Sequence, residues 1–422
     1  MNILLINHYA GSPGMGMEYR PFYMAQEWVR LGHTVTIIAA SYAHVRSVQP
    51  AFSKYYIKQS IEGIDYVWIK TPAYHGNGAL RTFNMFSFVV RLFLRAAEFA
   101  HNYKPDVVIA SSTYPLDIFP AKLIAHKSKA KLIFEVHDLW PLSPMELGGY
   151  SKWHPFIVLM QLAENYACKN CDALVSLLPK TKEHLVDHGL DPKKFNYIPN
   201  GICIDEYNSV DPLPSEHDQL LTRLKNENRN IICYAGSHGI ANALDFIVEA
   251  ANLLREESCV FLLVGSGPEK SKLIDKANRL GLTSQSNAGV QNIYFLPAVP
   301  KKSLLSLLDR CDILYIGLQN KPLFRFGISP NKLFDYMMAG KPIIQSIKAG
   351  NDLVTENNCG ISVAPEDAGL ISMAVKEIAG MSNNEREKLG MNGRQYVLSH
   401  HDYSFLADQF INVFTNAKFI LK

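Results

Sequence analysis

The chain has 422 residues, of which 48% are apolar and 19% charged, with a formal net charge of +3. That length allows two or three domains of ordinary size, each with its own core. The mild charge excludes a dedicated nucleic-acid binder, which needs clustered Lys and Arg, but is compatible with visits to an anionic membrane surface.

No stretch has the length of a spanning helix without charges. Met1–Asn7 lacks a basic start and reads as a first buried strand, not a signal peptide. Seven cysteines, an odd count, argue for reduced cytosolic thiols. Cys168 and Cys171 form a lone C-x-x-C without two further zinc ligands, so a structural role is expected for both.

Strands and helices then alternate. Ile3–Ile6 is a strand, followed by the glycine loop Gly11–Gly16. Phe22–Leu31 is a helix ending at Gly32, and Thr34–Ala39 is the next strand. Asp106–Ala110, Lys131–Val136 and Ala173–Leu177 are further apolar runs with helical stretches between them. Such a series predicts a parallel sheet covered on both faces. Phe83–Tyr103 combines aromatic residues with Arg81, Arg91 and Arg95 nearby. It suits either a buried helix of the first domain or one lying in a membrane interface. Trp140–Trp153 reads either as an acceptor-binding lid or as an irregular packed loop.

The pattern restarts after Pro199-Asn200-Gly201. Asp211 to Asn230 reads as a linker, because prolines and polar residues dominate it. Ile231–Ala235, Val260–Val264, Asn292–Leu296, Asp312–Ile316 and Ile343–Gln345 are strands of a second series, with a helix at Asp245–Arg255. The expected domains are residues 1–205, residues 206–402, and a C-terminal segment 403–422 that is amphipathic and packs back on either domain. Two doubly wound domains in tandem imply a cleft between the carboxyl ends of both sheets.

Gly327–Pro342 carries the strongest local chemistry. Ser329 suits a helix N-cap and Pro330 the first helical position. Gly340 then stops the helix. Lys332 in the first turn is unfavourable unless an anion lies nearby, and Asp335 sits one turn deeper. Such a helix start suits a nucleotide, with phosphate at the tip and ribose on the acid. A capped core helix with a solvated lysine is the other reading of these residues.

Taken together, the motifs resemble the retaining glycosyltransferases of family four, which have the GT-B fold: α/β, with two Rossmann-like doubly wound domains facing a central cleft. The likeness covers nearly the whole chain. It rests on Gly14-Met15-Gly16, on Leu31-Gly32-His33-Thr34-Val35-Thr36, and on Ile198-Pro199-Asn200-Gly201. Tyr234-Ala235-Gly236-Ser237, Val264-Gly265-Ser266-Gly267-Pro268-Glu269 and the stretch Asp335 to Pro342 complete it. The resemblance implies that His137 approaches the donor sugar and that Asp138 either contacts the acceptor hydroxyl or orients His137. It implies that Gly14 and Gly16 lie against the diphosphate, that Asp335 binds the ribose, and that the Tyr294–Ala298 backbone, including Pro297, contacts the base. Gly236, Ser237, His238, Gly327, Ser329 and Asn331 complete the donor set.

Two departures stand out. Gly327 occupies the position where the family usually has a glutamate, eight residues before Asp335. The Arg and Lys that usually follow the second glycine turn are replaced by Ser237-His238-Gly239-Ile240-Ala241-Asn242. Lys332 and Arg325 are the cations expected to take over. No acidic triad or D-x-D suggests a metal, so a metal-independent enzyme without a cofactor is expected. The substrate is a nucleotide-diphosphate sugar, UDP-linked, carrying an N-acetylated or deoxy hexose. The acceptor is a lipid-linked or other glycan of surface polysaccharide or lipopolysaccharide synthesis. That places the chain in the cytoplasm, peripherally at the inner membrane face through Arg81, Arg91 and Arg95. A non-catalytic nucleotide-sugar binder is the alternative. A nicotinamide oxidoreductase lacks both G-x-G-x-x-G spacing and an acid after the second strand.

Overall fold

The computed structural model describes residues 1–16, 18–51, 55–76, 78–284 and 291–416. The chain divides into two units. The first comprises Met1–Asn200, Phe326–Ser329 and the segment from Tyr403, and the second Gly201–Arg325 and Pro330–Asp402.

The first unit holds β1 (Asn2–Ile6), β2 (Thr34–Ala40), β3 (Tyr56–Ile61), β4 (Ile64–Ile69), β5 (Val107–Ala110), β6 (Lys131–Val136), β7 (Ala173–Ser176) and β8 (Phe195–Tyr197). They form one sheet in the order β3-β4-β2-β1-β5-β6-β7-β8. Every neighbouring pair is parallel except β3 with β4, an antiparallel hairpin at the edge. β1, β5 and β6 are buried almost throughout, as strands covered on both faces must be. β3 places Lys58, Gln59 and Ser60 in succession at the exposed edge, which is why its sequence lacks an apolar run.

The second unit holds β9 (Asn230–Ala235), β10 (Cys259–Val264), β11 (Ile293–Leu296), β12 (Ile313–Gly317), β13 (Ile343–Ser346) and β14 (Gly360–Val363). This sheet is entirely parallel, in the order β11-β10-β9-β12-β13-β14. Each sheet reverses its winding direction once, beside β1 and β5 in the first and beside β9 and β12 in the second. Ligands of open α/β sheets bind at the carboxyl ends flanking such a reversal.

Three sequence expectations need correction. The stretch read as a linker contains the helix Ser215–Asn226, which buries His217, Leu221 and Leu224 on one face. Its three-and-four spacing was masked by eight polar or charged neighbours in the helix and by Pro212 and Pro214 before it. The Trp140–Trp153 loop contains the helix Leu142–Gly148. The long aromatic segment is two helices, Ala79–Leu94 and Ala96–Tyr103, separated at Arg95.

The helix Tyr403–Asn416 packs on the helix Tyr19–Arg30 of the first unit. Phe410 and Phe414 stand 5.3 and 5.6 Å from the Trp28 ring, and Tyr403 stacks on Tyr23 at 5.1 Å. Residues 417–422 of the amphipathic C-terminal segment lie outside the described residues.

Candidate functional site

In the first unit, the residues following β1, β5 and β6 converge. Glu135 is the penultimate residue of β6 and points inward, with its side chain 3% exposed. Arg20 donates from Nε to Glu135 Oε1 at 2.9 Å and from Nη1 to the Pro199 carbonyl. Ser111 Oγ donates to Glu135 Oε2 at 2.6 Å. His137, one residue past the end of β6, brings Nε2 to 3.2 Å from Glu135 Oε2 and 3.0 Å from Ser111 Oγ. Glu18 closes the network, accepting from Thr113 Oγ1 at 3.0 Å and from Asn7 Nδ2 at 3.2 Å.

These contacts set the charge states. Burial alone would raise the Glu135 pKa, but the Arg20 guanidinium, with His137 and Ser111, holds it at about 2. Burial likewise opposes charge on His137, but the hydrogen bond and charge of Glu135, helped by Glu18, lift its pKa above the usual value. With Nε2 directed at Glu135, a protonated His137 still has Nδ1–H to donate to a ligand. Asp138 is exposed beside it. Gly16 has φ +78° in a loop bridged between Ser12 and Gly16, and Gly14 lies exposed in that loop.

In the second unit, Gly236, Ser237, His238 and Lys332 come together. Lys332 Nζ donates to Tyr234 Oη at 2.7 Å and to Asn242 Oδ1 at 3.0 Å, and lies 4.4 Å from the Tyr234 ring centroid. A Cβ on Gly236 would stand 3.1 Å from Lys332 Nζ. Tyr234 Oη and Asn242 Nδ2 in turn donate to the Ser237 carbonyl at 2.6 and 3.0 Å, bracing the loop. Burial depresses the Lys332 pKa to about 8. His238 is fully buried, and neither ring nitrogen has a hydrogen-bond partner. Burial, then the charges of Lys270 and Lys332, push its pKa down to about 4, so it is neutral at pH 7. The two glycine turns are pressed together: a Cβ on Gly265 would fall 1.9 Å from the Gly236 carbonyl oxygen. Only glycine permits that approach.

The helix expected from Ser329 begins at Asn331, with Pro330 at the N-cap. Ser329 does not cap it. Its hydroxyl accepts from the Asn200 N–H at 2.9 Å, and its carbonyl accepts from Asn200 Nδ2 at 2.9 Å. A tertiary partner has taken the oxygen that local chemistry assigned to the helix. Gly327 is buried with φ +100°. Asn331 Oδ1 is buried without a hydrogen-bond partner.

Asp335 is 7% exposed and accepts from Lys301 Nζ at 2.6 Å and from Tyr207 Oη. Both bonds fall on Oδ1. The Pro297 carbonyl accepts from His217 Nε2 at 2.9 Å. Exposed Arg325 donates to the Pro322 carbonyl at 2.7 Å. Sequence reasoning missed Arg20, Glu135, Ser111 and Glu18 in the first unit, and Tyr234, Asn242, Lys270 and Lys301 in the second. One signal was available: Glu135 interrupts an otherwise apolar strand, and a buried carboxylate requires a partner.

Two doubly wound units, the second with a cation held against a glycine loop at its winding reversal, define a two-domain α/β protein. A family model described as Glycosyltransferase Family 4 matches residues 15–206, and one described as Glycosyl transferases group 1 matches residues 229–380. The chain is 26% identical over 283 residues to the putative colanic acid biosynthesis glycosyl transferase WcaI of Escherichia coli, covering 65% of this chain and 68% of that protein. Among solved structures, the sucrose-phosphate synthase of Thermosynechococcus elongatus superposes with TM-score 0.69 at 17% identity, covering 98% of each chain. Anabaena HepE in complex with UDP and glucose superposes with TM-score 0.66 at 14% identity, covering 99% of this chain and 100% of that one. The chain belongs to the family-four glycosyltransferases and has the GT-B fold.

Proposed function

We propose that this glycosyltransferase is retaining and metal-independent, and moves a sugar from a UDP-linked donor to a lipid-linked or glycan acceptor in surface polysaccharide synthesis. One observation carries the reading: a buried lysine, Lys332, is held by Tyr234 and Asn242 against the Gly236 loop, where a diphosphate would complete its charge. The departing diphosphate gains negative charge as the glycosidic bond breaks, and a pre-placed cation lowers that barrier most. Lys332 supplies the cation, with neutral His238 beside it as a hydrogen-bond donor. Asp335 Oδ2 takes the ribose. His137 positions the donor sugar through Nδ1, and exposed Asp138 meets the acceptor. With no nucleophilic carboxylate assigned, the acceptor attacks the face from which the leaving group departs, and a phosphate oxygen takes its proton. The colanic acid relative supports the polysaccharide setting, and UDP bound to HepE supports the donor class. These residues argue against a non-catalytic binder, which has no need of a histidine braced by Glu135.

The short side chains at Gly236–Asn242 and the Gly327 backbone favour an N-acetylated or deoxy hexose. Incubation with a panel of UDP-sugars and polyprenyl-diphosphate glycans, with NMR of the product anomer, tests donor, acceptor and retention together. An inverted anomer would sink the mechanism. His137→Ala is expected to lower kcat by about 10²–10³-fold with its fold intact. Near-wild-type turnover in that variant would remove His137 from the chemistry.

Membrane contact is proposed through the helix Ala79–Leu94. Its outward face exposes Leu80, Phe83, Val90, Phe93 and Leu94, with Leu94 78% exposed. Arg81 is engaged by Tyr9, and Arg95 by Glu98, so Arg91 is the cation best placed for lipid phosphates. Co-sedimentation with phosphatidylglycerol vesicles is expected, and to be abolished in Phe83→Ser/Leu94→Ser. Equal pelleting of the variant would refute the assignment. Among the described residues, no helix is long and apolar enough to cross a membrane.

A further inference from the structure

We propose that Glu164, His184 and His188 form a binding site for one divalent transition-metal ion, with zinc as the natural occupant. The site lies in the first unit, where the His184 ring also stands 5.4 Å from that of Phe326. Glu164 projects from the helix Pro155–Asn170. His184 lies on the helix Lys182–Asp187, and His188 is its C-cap. The H-x3-H spacing sets both imidazoles on one helix face, and their rings are 4.3 Å apart. One ligand atom from each of the three residues lies within 4.8 Å of the other two.

The distances fit ligands better than an ion pair. His184 Nε2 is 3.4 Å from Glu164 Oε1, and His188 Nε2 is 3.9 Å from Glu164 Oε2. A charge-assisted hydrogen bond closes to about 2.7–2.9 Å. Two ligands on a tetrahedral ion with bonds of about 2.1 Å stand about 3.4 Å apart, matching the first distance and nearly the second.

The protonation pattern also fits. His188 Nδ1 lies 2.7 Å from the His184 carbonyl oxygen, which can only accept. The proton therefore sits on Nδ1, and in the neutral ring the Nε2 lone pair faces Glu164. Gln161 Nε2 donates to Glu164 Oε2 at 2.8 Å, the kind of outer partner that orients a ligating carboxylate.

Charge balance is the third argument. The Glu164 side chain is 3% exposed, as is that of Glu135. Glu135 has Arg20 against it, whereas the ion-pair partners of Glu164 among the described residues are these two histidines. A buried carboxylate with neither Lys nor Arg among those partners is one that a metal cation would satisfy. Two imidazoles and one carboxylate suit zinc over the oxygen-seeking magnesium or calcium, and the His188 side chain, 24% exposed, gives an ion access from solvent.

The test uses the untagged full-length chain, stripped with a chelator and dialysed. Cobalt(II) titration is expected to saturate at one equivalent with the visible absorption of a four-coordinate ion. Zinc is expected to displace it and to raise the melting temperature, and magnesium to do neither. His188→Gln is expected to weaken binding by about tenfold or more while the metal-free variant melts with the wild type. Glu164→Gln should do the same if it folds, and His188→Gln decides alone if it does not. Absence of saturable binding in the wild type, or undiminished binding in His188→Gln, would overturn the proposal. The second outcome would point to the cysteines instead.

Discussion

Replacing Lys332 with methionine is expected to cut kcat/KM by about 10²–10³-fold, the cost of removing one pre-placed group that stabilises developing charge. The melting temperature should hold or rise. Burial depresses the Lys332 pKa to about 8, so holding the ammonium form costs more in the folded protein than in the unfolded chain, although it remains charged at pH 7. An apolar side chain of similar length removes that penalty and keeps the packing on the Tyr234 ring. The same shift sets a pH dependence. Below pH 8 the free protein holds Lys332 charged. As pH rises through about 8 the cation is lost, and affinity for UDP should fall with it. Lys332→Arg keeps its charge across that range and should flatten this limb, whatever it loses in fit against Gly236 and Tyr234. Isothermal titration with UDP from pH 7 to pH 9.5 reads both effects. A wild-type affinity independent of pH, together with a fully active methionine variant, would end the case for Lys332.

Arg20→Met is expected to destabilise the protein by about 3–5 kcal/mol, because it strips the guanidinium from a carboxylate that cannot reach water. The pair is 2.9 Å apart, and both side chains are 3% exposed. The double change Arg20→Met/Glu135→Leu should recover much of that loss, since it leaves no uncompensated charge. Chemical denaturation of the three proteins measures it. The acid limb of stability follows from the same residue. The folded pKa of Glu135, about 2, lies below its ordinary 4.5. Its contribution is therefore complete above pH 4.5 and disappears as pH falls toward 2, with a size on the order of 3 kcal/mol. His137 runs the other way. Its raised pKa means that its protonated form, and the stability linked to it, persist to pH values above 6.5 and are lost as pH climbs through the folded value.

The parallel cores were legible because both faces of each strand are covered, which writes short continuous apolar runs into the sequence. Lys131–Val136 was readable to the residue. What escaped was amphipathic or peripheral. β3 carries polar residues outward, and Ser215–Asn226 shows three buried positions among polar ones. The site divides in the same way. The Gly236 loop and Lys332 could each be singled out through local chemistry. Tyr234 and Asn242, which hold Lys332 in place, are ordinary residues until the chain brings together positions 98 and 90 residues apart. Arg20 and Glu135 are separated by 115 positions. Ser329 shows the reverse failure: its local signal for capping was sound, but Asn200 claimed the hydroxyl first.

The helix Tyr403–Asn416 has a consequence for how this protein is made. It covers Trp28 and Tyr23, which leave the ribosome long before it: Trp28 and its partner Ala407 are 379 positions apart. Between Asn200 and Tyr403 lie roughly 200 residues, nearly all assigned to the second unit, or about 10–40 s of translation at ordinary bacterial speed. Throughout that interval the indole of Trp28 has no lid, and the nascent first unit presents an aromatic patch to chaperones. Closure of this face therefore waits for Tyr403–Asn416, and a message truncated just before codon 403 would release a chain whose first unit still shows aromatic surface at Trp28 and Tyr23.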